Sequence, residues 1–244
     1  MIAERPYSST QELFRDVKSS AARGERRDHV VDSEAFLKLE NIKWRTKLPQ
    51  HDIPDIPTLV VPNHYKRSWM HRGWPPSLRK TVLTTRESLI TTSIISVEMS
   101  KLLSRKTTWL AKSEISEKFL IFKSEDRKMQ RAITNWYNFI PADSNPQIVC
   151  QRVVGSLEAG VNVGLYPAVK PSQRPQPASK DFKVLIGMLN RERVSYQILP
   201  VSIFYEDGEF VVIPEDVVDP KGSHKEIAQQ VMDSIGSRLP RRLR

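Results

Sequence analysis

The 244-residue chain has a single cysteine and no apolar run approaching the length of a membrane span. One thiol, Cys150 in "PQIVCQRVV", cannot make a disulfide framework, a zinc cluster or a thiol-rich redox site, so a reducing compartment fits. The first residues, "MIAERPYSSTQELFRD", lack the apolar core of a secretion signal. The expectation is a cytoplasmic protein without a transmembrane segment and without a bound metal or cofactor. Negative charge is also scarce: Lys and Arg number 38 against 28 Asp and Glu, giving a formal charge of +10 and a pI near 9.7. Such a surface suits an anionic partner, whether nucleic acid, an acidic membrane face or a phosphorylated small molecule. The dispersed cations and the lack of a nucleic-acid motif make nucleic acid the weakest of the three.

What is present reads as alternating strands and helices. Residues 1–34 are polar and charged, expected as a loosely held arm or one short helix outside the core, and residues 35–244 as one α/β domain. "TLVVP" is a short β-branched run bounded by prolines, the pattern of a buried strand. The segment "RESLITTSIISVEMSKLLSR" has apolar residues at helical spacing, and "TTWLAK" is a second strand. In "SNPQIVCQRVVGSLEAG", Asn145 can cap, Pro146 suits the first helical position, and Gly160 can end the helix. "VNVGLYP" and "YQILPVSIFYE" are further strands, and Asp207-Gly208 marks a hairpin into "EFVVIP". Ser223 and Glu226 make a capping box for a final helix. The sum is a layered α/β fold, its largely parallel sheet flanked by helices and completed by a late antiparallel hairpin.

The stretch "VVPNHYKRSWMHRGW", residues 60–74, raises the functional question. It delivers Asn63 and His64 at the carboxyl end of a strand, where open α/β sheets bind ligands, and follows them with cations, two tryptophans and no carboxylate. His64 is the candidate base, yet a base of this kind usually leans on an acid.

The order of the pieces resembles the glycerophospholipid (lysophospholipid) acyltransferase family, 1-acyl-glycerol-3-phosphate acyltransferases included, over nearly all of residues 40–239. "IPTLVVPNH" looks like the strand carrying the family's Asn-His, and "WLAKSE" and "NFIPAD" look like its next two strands. "LEAGVNVGLYPAV" stands where the family has its helix, strand and phosphate loop, and "YQILPVSI" looks like its closing strand. The resemblance implies a glycerol-3-phosphate acyltransferase-like fold and transfer of an acyl group from acyl-CoA or acyl-carrier protein to a hydroxyl acceptor. In the family an aspartate five residues after the histidine completes a dyad, and a Phe-Pro-Glu-Gly-Thr-Arg loop with an upstream arginine holds phosphate. Here Trp69 replaces the aspartate, Ala168, Val169, Lys170 and Pro171 replace the loop's glutamate, glycine, threonine and arginine, and Ser144 replaces the upstream arginine.

Two functions follow as expectations. One is an acyltransferase with His64 as general base and Asn63, Lys66, Arg67, Lys170 and Arg174 binding substrate. The other is a catalytically inactive module of the same fold that binds lipid, an acyl chain or a protein partner. A remote carboxylate such as Glu87 or Asp181, or a backbone carbonyl, is the expected substitute for the missing acid. Trp69 is expected to pack over the old dyad. Trp74, among cations, is the expected contact with an anionic membrane surface, placing the protein on the cytoplasmic face of the membrane.

Overall fold

A computed structural model describes residues 7–49, 51–65, 76–111, 137, 139–142, 145–168, 172 and 174–243, with the side chains of 76–86 excepted. Among the described residues, seven strands form one sheet in the order β1-β7-β6-β2-β5-β3-β4. They are β1 Trp44–Thr46, β2 Thr58–Pro62, β3 Thr107–Ala111, β4 Ile140–Pro141, β5 Asn162–Gly164, β6 Gln197–Glu206 and β7 Glu209–Pro214. Strands β6, β2, β5, β3 and β4 run parallel, β7 returns antiparallel to β6, and β1 lies parallel to β7. The expected α/β architecture is therefore the observed one.

Alternation along β2 explains how the sheet holds two helical layers. Leu59 and Val61 point into an apolar cluster with α4 (Pro146–Glu158), α5 (Lys180–Arg191) and α6 (His224–Arg238). Val60 points into the opposite cluster, with α1 (Thr10–Ala22), α2 (His29–Leu39) and α3 (Pro76–Leu102). All five residues of β2 are buried, as a central strand covered on both faces requires.

Local chemistry sets the element ends. Asn145 accepts from the Gln147 amide ahead of Pro146, and Gly160 takes φ +74° just past α4. Ser223 and Glu226 close the capping box of α6. Asp207 and Gly208 both adopt positive φ, the geometry of a tight hairpin that matches strand twist. Pro200, inside the central strand β6, is tolerated because the antiparallel ladder to β7 begins only at Val201 paired with Pro214.

The segment 1–34 differs from expectation. It holds α1 and most of α2, and Leu13, Val17, Phe36 and Leu37 belong to the same core cluster as the sheet. Its charges are used internally: Arg27 binds Asp32 through two nitrogens at 2.6 and 2.8 Å, Asp16 at 2.8 Å and the Tyr7 hydroxyl at 2.8 Å. A polar composition concealed two helices with buried apolar residues, joined by a loop whose Arg27 pairs with a carboxylate from each. The short edge strand β1 had no legible period and is another element the sequence did not announce.

Candidate functional site

The parallel strands β2, β5 and β3 end on one edge of the sheet, and the residues just beyond them define the site. His64 follows β2, and Tyr166 follows β5. The loop after Tyr166 returns beside His64: the Ser172 amide donates to the His64 carbonyl at 2.8 Å, and Ser172 pairs with Tyr65 as an isolated bridge. Asn63 fixes the depth of this corner. Its Nδ2 donates to the Ile203 carbonyl at 2.9 Å and its Oδ1 accepts from the Ile203 amide at 2.6 Å. The carboxamide thus mimics a strand residue and ties the end of β2 to β6, a structural task for a side chain expected to bind substrate.

Three rings stack across the strand ends. His64 and Tyr166 lie with centroids 4.4 Å apart and planes at 24°, and Trp109 lies 5.9 Å from Tyr166 at 30°. The stack fits because residue 164 is glycine: a Cβ there would approach the Trp109 ring to 2.6 Å. Each ring is held by a hydroxyl from one stripe of α3. Ser88 Oγ lies 3.0 Å from His64 Nε2, Thr92 and Thr91 hydroxyls lie 2.8 and 3.2 Å from the Tyr166 hydroxyl, and Trp109 Nε1 donates to Ser96 Oγ at 2.8 Å.

Residues 88, 91, 92 and 96 share a helical face, so the stripe was present in the sequence as polar residues at helical spacing. The apolar residues at helical spacing orient α3 without marking this stripe. This helix is buried on several sides in its later turns, with Ile90, Ile94, Ile95 and Met99 interior together with Thr91, Ser93, Ser96 and Glu98. The Glu98 carboxylate is satisfied there by Trp44 Nε1, Thr46 Oγ1 and Lys101 Nζ.

Burial lowers the His64 pKa from 6.5 to about 4, while a backbone acceptor at Ala168 favours the charged ring without outweighing it. Nδ1 is buried and, among the described residues, meets no partner in hydrogen-bond geometry. No carboxylate among the described residues hydrogen-bonds to the ring. Glu87 is buried on α3 and Asp181 sits in the first turn of α5, and Ala168 is the backbone group that bears on the ring. Tyr166 is likewise pushed up by burial, its contacts with Thr91 and Thr92 working in the opposite direction.

Arg174 is exposed in the loop that returns toward His64. Lys66, Arg67, Trp69, Trp74, Ser144, Val169, Lys170 and Pro171 lie outside the described residues. Among the described residues no group of three His, Cys, Asp or Glu side chains is placed to hold a metal, and no helix is long and apolar enough to cross a membrane.

No protein-family model matches the sequence, and no curated protein matches it. The fold, however, is similar to that of a solved structure, the 1-acyl-sn-glycerophosphate (LPA) acyltransferase PlsC from Thermotoga maritima. The TM-score is 0.50 at 13% identity, over 93% of this chain and 78% of that one. The chain has an acyltransferase-like α/β fold.

Proposed function

We propose that this chain transfers an acyl group from a thioester, carried on coenzyme A or an acyl-carrier protein, to a lipid-like hydroxyl acceptor, with His64 as general base. The observation that carries the reading is the 3.0 Å contact between His64 Nε2 and a hydroxyl at the carboxyl edge of the sheet. A buried ring with a pKa of about 4 is neutral near pH 7 and able to accept a proton. Its low basicity and the lack of a carboxylate partner among the described residues make it a weak base, so turnover is expected to be slow. The altered phosphate loop suits an acceptor without a phosphate. Lys66, Arg67, Lys170 and Arg174 are the cations proposed to meet an anionic headgroup or carrier, and Trp74 the residue proposed to meet an anionic membrane surface on the cytoplasmic side.

A second reading, a non-catalytic module that binds lipid, an acyl chain or a protein partner, is favoured by the hydroxyl stripe of α3. It holds all three rings alike, as a purely structural ladder would. Thiol release from acyl-CoA, measured with phosphorylated and unphosphorylated hydroxyl acceptors, separates the two. Acceptor-dependent release abolished by His64→Ala supports the enzyme. Release from wild type no faster than from the variant, across the panel, together with retained binding of lipid vesicles, supports the module.

A further inference from the structure

We infer that Ser88 is the first acyl acceptor, so that acyl transfer proceeds through a serine ester on α3; this rests on the acyl-transfer reading above. A nucleophile and its base are recognised by mutual reach, and Ser88 Oγ lies 3.0 Å from His64 Nε2. Both groups are held in place. The His64 ring is stacked on Tyr166, and Ser88 is carried on a helix whose neighbouring residues Glu87 and Ile90 are each 1% exposed.

Ser88 also differs chemically from the other rungs of its stripe. Ser96 Oγ accepts from Trp109 Nε1 and gives its own proton to the Thr92 carbonyl at 2.7 Å, which makes that rung structural. Thr91 turns its hydroxyl toward the Glu87 carbonyl at 3.0 Å. Thr92 meets the Tyr166 phenol, whereas Ser88 is the rung that faces an imidazole nitrogen. With the ring proton on Nδ1, Nε2 presents a lone pair to the Ser88 hydroxyl.

A covalent relay fits the other peculiarity of the chain. Direct transfer needs donor and acceptor bound together, whereas a serine ester lets the donor leave before the acceptor arrives. An altered acceptor loop is then less of an obstacle to the first half-reaction. In that half, Ser88 Oγ attacks the thioester carbonyl carbon while its proton passes to His64 Nε2. The C–S bond breaks, and the departing thiolate takes the proton from the imidazolium and leaves as thiol. In the second half, an acceptor hydroxyl gives its proton to His64 and attacks the ester, and Ser88 leaves with that proton restored. No redox change and no further reactant is involved.

The test is intact-mass analysis and peptide mapping of the full chain, acid-quenched after incubation with octanoyl-CoA without acceptor, followed by rate measurements with a hydroxyl acceptor added. The expected result is a gain of one octanoyl group on the peptide containing Ser88, lost in Ser88→Ala and His64→Ala, with ping-pong kinetics when acceptor is supplied. Ser88→Cys, which keeps a nucleophile of similar size at the site, is expected to form an adduct cleaved by neutral hydroxylamine. That variant keeps the result readable should the alanine variant fold poorly. Acceptor acylation by Ser88→Ala at the wild-type rate, with no adduct, would overturn the serine ester and leave His64 as a direct base. An octanoyl group mapped to another residue would likewise overturn it. Neither adduct nor acceptor acylation in wild type would overturn both this inference and the enzyme reading.

Discussion

Tyr166 lies almost face to face on His64, its ring centroid 4.4 Å away, and its hydroxyl is tied to Thr92 at 2.8 Å. The tyrosine therefore excludes water from the imidazole while being anchored to α3. Tyr166→Phe should keep the stack and remove the hydroxyl contacts to Thr91 and Thr92, costing about 1 kcal/mol. Tyr166→Ala should cost about 3–5 kcal/mol and let solvent reach His64, whose pKa should climb from about 4 toward 6.5. Urea denaturation and NMR titration of the imidazole check both, and an unmoved pKa in the alanine variant would remove burial as its cause.

Asn63 has a structural role that is measurable. Replacing it with alanine removes two buried hydrogen bonds and leaves the Ile203 amide and carbonyl without them. The expected loss is about 2–4 kcal/mol in urea denaturation, with slower acyl transfer because the corner holding His64 loosens. Wild-type stability with lost activity would instead restore Asn63 as a substrate ligand.

Acid should weaken the fold between pH 6.5 and 4. His64 and His29 are both lowered from 6.5 to about 4, in each case by burial, while Asp32 and Asp28 pull His29 the other way. In this window the unfolded chain binds protons at these positions that the folded chain refuses, so stability is fully present above pH 6.5 and is lost as pH falls toward 4. The loss is on the order of 3 kcal/mol for each ring. Glu215, raised by burial, opposes it, since its folded carboxyl holds a proton that the unfolded one releases. Denaturation midpoints should fall from pH 7 to pH 5, and His29→Phe should remove about half of that fall, since one of two equally shifted rings is gone. A flat profile would show that both rings are more solvated than the structure places them.

Arg27 anchors the N-terminal helices through Asp32, Asp16 and Tyr7, with its side chain 16% exposed and that of Asp32 8%. Arg27→Met should remove the guanidinium contacts of Asp32 and Asp16 and cost about 3 kcal/mol. Early proteolytic cleavage near α1 should accompany the fall in Tm. Unchanged Tm would mean that residues 1–34 are the loosely held arm their composition suggested.

The sequence by itself determined the alternation of strands and helices, the hairpin at Asp207-Gly208, the caps at Asn145 and Ser223, and the placing of His64 at a strand end. These depend on local chemistry: side-chain periods of two and 3.6, φ preferences, and hydroxyl or amide groups within reach of a free backbone donor. It also exposed the absence of an aspartate at position 69, because a substituted motif is visible without a structure. Only the tertiary structure decided what surrounds the histidine. Ser88 is 24 residues away in the chain, and Tyr166 is 102 residues away. They meet His64 because α3 crosses behind the sheet and β5 pairs beside β2. The same long-range packing assigned Asn63 to Ile203 and drew α1 into the core. Contacts of this kind leave no periodic trace along the chain, since they are fixed by strand order and by which faces are buried together.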